Sequence, residues 1–285
     1  MAESFALVAS FFFAVSHILV RRGLATSNAI TGAFVSLGVA VVNLWLLVFL
    51  FLPFQKLQTR AIAYFIVAGI FAPALGRTLG YVGIQRLGVA RAVPIVSCSP
   101  VFASIVAVLL LRESWPLQNL LGTLLVIIGV AVLATKQVEQ KQWRAGDLLY
   151  PLLGAVVFGI STNLRKLGLL VENLPLMAAA ITATTGFLFI SVLLRWVRAS
   201  GGLMLSRSAA GWFAAAGVCN TGSVLSVFYA LSSGKVVVVE PLITTNPILS
   251  IVLAAIFLRD IEVITTRVII GACCTVGGTI LILTL

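Results

Sequence analysis

One hydrophobic unit is written twice along this chain. Pro94-Ile-Val-Ser-Cys-Ser-Pro100 runs on through apolar residues to Leu111-Arg112-Glu113. Pro241-Leu-Ile-Thr-Thr-Asn-Pro247 runs on in the same way to Leu258-Arg259-Asp260, every feature displaced by one constant offset. Further matches extend the repeat: Phe13, Ser16, Leu19, Gly23 and Leu24 correspond to Phe158, Ser161, Leu164, Gly168 and Leu169. Gly122 and Gly129 correspond to Gly271 and Gly278. In a chain dominated by apolar runs, an internal repeat points to a transporter whose substrate site lies between its two copies.

The medium follows from charge. Charged residues make up 9% of the 285 residues and apolar residues 61%, where a soluble domain carries about 25% charged residues. So few charges cannot cover a water-facing surface. Ten apolar runs approach the roughly 20 residues that cross a bilayer as a helix: 4–20, 29–54, 61–85, 89–111, 116–135, 147–164, 174–194, 209–233, 235–258 and 266–285. They are apolar all round rather than alternating, so a transmembrane barrel does not fit. The longest polar connection, Lys136 to Gly146, divides the spans into five and five. Repeats are expected over residues 1–138 and 147–285. A unit of five spans repeated directly enters the membrane the opposite way the second time. The expected fold is an all-α integral membrane protein of ten transmembrane helices in two inverted five-helix repeats, able to alternate between two access states.

Several function classes are excluded or left without support. The net charge of +11 resides at the ends of apolar runs, where Lys and Arg anchor in the headgroup layer, so nucleic acid is not an expected partner. Arg21-Arg22 and Arg165-Lys166 read as such anchors, with the mouth of a cavity as the alternative. Cys98, Cys219, Cys273 and Cys274 fall inside apolar runs without metal-ligand spacing, so neither a disulfide framework nor a metal site is expected. No catalytic set is visible and no cofactor is expected; the chain does not read as an enzyme. The first run follows Glu3 and has no cleavage site, so it reads as a retained span.

Ionisable residues inside spans are the functional candidates. Glu240 is the one acid within an apolar run, beside Pro241; Pro94 is its counterpart proline in the first half. Broken helices at corresponding positions mark a binding region, so Glu240, Pro94 and Pro241 are candidates for coupling or gating. Two roles are open for Glu240: uptake and release of a proton, or pairing with a buried Arg. Arg77 lies about 12 Å from the end of its run at position 85, at 1.5 Å per residue, too deep for easy snorkelling. Tyr81 follows one turn later on the same face. A guanidinium beside an aromatic ring suits a carboxylate or a planar group. His17, Asn163 and Asn220 complete the expected substrate contacts.

Ala92-Val-Pro94, Ser-Pro100-Val-Phe-Ala, Leu-Leu-Leu-Arg-Glu113, Gly122 and Gly129 together resemble the EamA domain of the drug/metabolite transporter superfamily. Pro247-Ile-Leu, Arg259-Asp260, Gly271 and Gly278 repeat the pattern. Two positions depart from it: Asp260 and Asn246 stand where the family usually has Glu. The resemblance implies ten spans and the transport, often export, of amino acids, sugars, nucleotides or other small metabolites. The expected function is secondary transport of a small polar or anionic, amino acid-like metabolite by alternating access. An organophosphate or nucleotide-sugar exchanger is the alternative within transport, and a non-transporting membrane sensor the alternative outside it. The expected partners are a small-molecule substrate, the lipid bilayer and, under coupling, protons. The expected location is a bacterial inner membrane, with both termini cytoplasmic. The positive-inside rule opposes that orientation, because it leaves fewer Lys and Arg inside (Lys56, Arg60, Arg112, Arg165, Lys166, Lys235) than outside.

Overall fold

The structure, a computed structural model, describes residues 1–52, 58–111, 117–134, 144–197, 206–234, 239, 242–243, 245–260 and 265–283. Among these, every regular element is helical. In chain order they are α1 (Ala2–Gly23), α2 (Ala29–Phe51), α3 (Thr59–Gly69), α4 (Arg77–Leu87), α5 (Val89–Val96), α6 (Ser99–Leu111), α7 (Leu117–Ala134), α8 (Leu149–Val171), α9 (Pro175–Val197), α10 (Arg207–Ser233), α11 (Asn246–Phe257) and α12 (Thr266–Leu283). Six described segments are long and apolar enough to cross a membrane, and three further apolar helices are shorter. Large apolar side chains such as Phe49, Leu50, Phe51 and Leu170 stand largely exposed, as a lipid-facing surface requires. The protein is an all-α integral membrane protein built of two inverted five-helix repeats.

Local sequence explains where helices start, bend and stop. The Asn28 side chain accepts a hydrogen bond from the Thr31 backbone N–H at 2.9 Å and caps α2. The Ser206 hydroxyl does the same for α10, from Ala209 N–H at 3.1 Å. Both satisfy an N–H that the helix itself leaves unpaired. Pro73 supplies no N–H, and around it α3 passes into a π-helical stretch, Ile70–Gly76, before resuming as α4. At the end of α4, Gly88 takes φ 84°, a backbone region costly for a residue with a Cβ, and the chain turns directly into α5. The fourth span is broken, but the break falls at Ser97 and Cys98, after α5 has continued past Pro94 to Val96. Pro100 sits in the first turn of α6, where a missing N–H costs nothing.

The inversion is visible in pairs of contacts that exchange the two halves. In α7 and α12 the Gly122 carbonyl lies 2.6 Å from where a Cβ on Gly278 would stand, and the Gly271 carbonyl 2.8 Å from one on Gly129. The repeat equates Gly122 with Gly271 and Gly129 with Gly278, so each contact is the image of the other. The two helices therefore cross antiparallel on the pseudo-two-fold axis, with backbones close because the seven-residue glycine spacing bares one face of each. The same exchange relates the two ends of the bundle. Ser16 donates to the Ala216 carbonyl at 3.4 Å and Ser161 to the Ala68 carbonyl at 3.0 Å. The Phe213 ring packs against Gly23, and the Phe65 ring against Gly168, where a Cβ would collide with it. Both rings are fully buried. Helix α1 is thus fixed to α10 of the other half, and α8 to α3. The halves interleave rather than sit side by side, and the space between them is enclosed by both.

Candidate functional site

A cavity of about 160 Å³ lies in that shared space. Its wall takes residues from α1, α2, the π-helical stretch, α4 and α5 of the first half and from α8, α9, α10 and α11 of the second. Of the five expected substrate contacts, His17, Arg77, Tyr81 and Asn220 line it. Spacing along α4 puts Arg77 and Tyr81 on one face; only the interleaving of the halves brings His17 and Asn220 to them.

Arg77 opens α4 directly after the π-helical stretch. It is 8% exposed, and its Nη1 is buried with no hydrogen-bond partner among the described residues. A π-bulge re-aims the side chains that follow it and is frequent at functional sites. Here it follows from Pro73, a helix-disrupting residue already visible in the sequence. Tyr81 is on the cavity wall, but its hydroxyl is engaged: Asn220 Nδ2 donates to it at 3.1 Å, and Ser36 Oγ lies 3.3 Å away. This chain of polar groups ties α4 to α10 and α2. His17 stacks on Phe13 with ring centroids 6.4 Å apart, and its Nδ1 lies 3.3 Å from Ser250 Oγ on α11.

Asn163 departs from expectation. It does not line the cavity; its Nδ2 donates to the carbonyls of Gly159 at 3.1 Å and Ala103 at 3.3 Å. One residue along the helix turns a side chain by about 100°, and here that carries Asn163 to the α6 interface while Thr162 and Arg165 face the cavity. Glu240 and Pro241 lie outside the described residues. Pro94 is buried in α5 and accepts a hydrogen bond from the Cys98 thiol across the turn, at 3.5 Å. Ser97, in that turn, and Ser99, directly after it, line the cavity. The broken helix therefore meets the site, through the residues after the proline.

Two cavity residues were not foreseen as substrate contacts. Arg165, read above as a helix-end anchor, is 8% exposed and on the cavity wall, its guanidinium over the Phe228 ring at 5.4 Å from the centroid. Its position near the end of an apolar run made it look like an interface residue. Asn246 lines the cavity at the start of α11. Its Nδ2 donates to the Ile243 carbonyl at 3.0 Å, and its Oδ1 is buried without a partner among the described residues. The described wall therefore carries two guanidinium groups and no Asp or Glu.

The bases at the other helix ends behave as anchors of structure. Arg22 reaches across the halves to Asp260, at 2.9 Å and 3.2 Å, and also donates to the Phe257 carbonyl. Arg86 pairs with Asp147 at 2.5 Å and lies over the Tyr150 ring.

An internally repeated bundle of membrane helices around a mostly apolar cavity with a few buried polar groups defines a polytopic membrane protein. The model of the EamA-like transporter family matches residues 1–135 and again 145–284. The chain belongs to that family, within the drug/metabolite transporter superfamily. A solved crystal structure of a protein superposes on 98% of this chain and 95% of its own, with a TM-score of 0.69 and 13% sequence identity; at that identity the likeness shows the fold. Comparison with curated proteins finds no match.

Proposed function

We propose that this membrane transporter carries a small organic anion of amino-acid size by alternating access, exporting it across a bacterial inner membrane from a cytoplasm that holds both termini. One observation carries the reading: a buried guanidinium, Arg77, presents an unpartnered N–H on the wall of a cavity shared by two inverted repeats. A buried polar group without a partner costs free energy, and an anionic group on the substrate would supply the partner. The cavity volume supports a small ligand. About 150 Å³ holds one benzene molecule, so about 160 Å³ suits an amino-acid-sized molecule and disfavours a nucleotide sugar.

The symmetry-related contacts support alternation. Inversion makes the two ends of the bundle structurally equivalent, so an opening at one end has a counterpart of similar energy at the other. A static sensor has no use for such a pair. Residues 1–138 and 147–285 are the proposed repeat units. Asp260, close to the start of α12, meets the end of α1 through Arg22, whereas a Cβ on Gly234 would stand 2.7 Å from Ala2 Cβ. This arrangement supports termini that share a side. Glu240 and the two prolines remain the proposed coupling and gating residues.

Flux into liposomes tests the reading. Labelled amino-acid-sized anions should exchange across vesicles containing the protein. Arg77→Leu should abolish exchange while the protein still elutes as a folded species. Arg77→Lys should weaken binding, because it keeps the charge and loses the planar fork. Normal flux through well-folded Arg77→Leu would remove Arg77 from the site.

A further inference from the structure

The geometry points to Ser250 as a positioning residue that fixes His17 in one tautomer, with its proton on Nε2, so that the imidazole gives the substrate's anionic group a second N–H donor besides Arg77. The inference rests on the organic-anion reading above and deepens it.

Ser250 is fully buried on α11. A serine or threonine inside a helix commonly turns its hydroxyl back to the carbonyl one turn earlier, as Thr182 and Ser191 do here. Ser250 does not. Its Oγ lies 3.3 Å from His17 Nδ1 on α1, and among the described residues it has no other hydrogen-bond partner. That contact can be made in two ways. If Nδ1 carries a proton, it donates to Oγ, and the hydroxyl hydrogen is left buried without an acceptor, at the full cost of its desolvation. If the hydroxyl donates to Nδ1, it is satisfied, and the imidazole proton must be on Nε2. A doubly protonated ring strands the hydroxyl as the first arrangement does. The network therefore assigns the Nε2–H tautomer.

The tautomer decides what the substrate meets. His17 lines the cavity together with Phe13, on which its ring stacks. Nδ1 is turned to α11. Nε2 bonds to no described residue and is not enclosed by protein, so its N–H opens onto the cavity. Two donors from different helices, Arg77 Nη1 of α4 and His17 Nε2 of α1, then line one space of about 160 Å³. A carboxylate has two oxygens and about four lone-pair sites, so one such group can accept from both. The other tautomer would present a lone pair instead and would call for a hydroxyl or ammonium group at the same place. Ser250 thus acts on the substrate through His17, without touching it.

His17 is the single histidine of the chain, so protein labelled with ¹⁵N-histidine gives one pair of ring-nitrogen resonances. In the ligand-free wild type in detergent, NMR should find the proton on Nε2 and a bare, pyridine-type Nδ1. A proton on Nδ1, on both nitrogens or shared between tautomers overturns the inference, and this spectrum decides even where a variant does not fold. Ser250→Ala should let the tautomers mix, and Ser250→Thr, which keeps the hydroxyl, should restore the Nε2–H form. An unchanged spectrum in Ser250→Ala overturns the inference too. Binding of 4-methylpentanoate and of leucine is read from tryptophan fluorescence. His17→Phe keeps the stacked ring and loses the donor, so it should weaken the tighter probe about tenfold or more, the loss expected for a hydrogen bond to a charged group. Ser250→Ala should weaken that probe about threefold to tenfold in the wild type and no further in His17→Phe. An equal loss in both backgrounds would make Ser250 a packing residue and overturns the inference, as does undiminished binding by His17→Phe. If neither probe binds, or Arg77→Gln binds as tightly as the wild type, the organic-anion reading fails and the donor role falls with it. The ligand-free tautomer, measured without a probe, tells that failure apart from a failure of the Ser250 assignment.

Discussion

The same substitution made twice in α10 should lower stability at Gly217 and leave it unchanged or raise it at Gly211. A Cβ on Gly217 would stand 2.7 Å from the Ser36 carbonyl and 2.8 Å from Val39 Cβ, both on α2. Neither can rotate out of the way, because one is backbone and the other is fixed to it. Forcing a methyl group into such a contact costs about 1–3 kcal/mol, and the upper part of that range applies where the neighbour cannot yield. Ala gains about 1 kcal/mol over Gly from helix propensity. The net for Gly217→Ala is a loss of about 1–2 kcal/mol. At Gly211 an added Cβ meets nothing within 4 Å, so only the propensity term remains. Gly211→Ala should be neutral or more stable, by up to about 1 kcal/mol. Unfolding of the purified protein in mixed micelles, with rising fractions of denaturing detergent, gives both values. Gly217 is one turn from Asn220, which holds Tyr81, so pushing α10 off α2 should also loosen the cavity wall and weaken anion binding. Gly217→Ala as stable as the wild type, or less damaging than Gly211→Ala, would refute the close approach of α2 and α10.

Other outcomes follow from named contacts. Tyr81→Phe removes the acceptor of Asn220 Nδ2 and should cost about 1–2 kcal/mol in the same unfolding assay. Asn163→Ala should lose about 1 kcal/mol of stability and leave the affinity for anionic probes unchanged, because its amide serves the α6 interface rather than the cavity. The Arg22–Asp260 pair is 34% and 60% exposed at its side chains, so Asp260→Asn should cost under about 1 kcal/mol, with the difference disappearing at high salt.

The large features of this fold were legible in the sequence because they are one-dimensional. Apolar run length reports bilayer thickness, and the count of runs per repeat dictates inversion. The glycine spacing in Gly122, Gly129, Gly271 and Gly278 reports a helix face that a neighbour can approach, and that is the face on which α7 and α12 cross. Arg77 was legible for a similar reason: its distance from the run end puts a guanidinium where lipid cannot receive it. The placement of Asn163 and Arg165 was not legible: Asn163 was expected at the substrate, and Arg165 was read as an anchor with the mouth of a cavity as the alternative. Both are near one end of an apolar run, and helices that are apolar all round have no polar stripe to show which face turns inward. Depth along the helix was readable; rotation about its axis was not.

The sequence by itself therefore determined the medium, the element type, the duplication and its inversion, since these depend on composition, length and periodicity. Tertiary structure decided which polar groups share the cavity. His17 meets Ser250, Tyr81 meets Asn220, and Arg77 shares a wall with Asn246 only because the halves interleave, with α1 against α10 and α8 against α3. The physical reason is that lipid gives no hydrophobic drive between helices, so their rotation and pairing are set by close packing at residues such as Gly23 and Gly168 and by polar contacts across the repeats. Those partners lie far apart in the chain, and only the folded bundle brings them within reach.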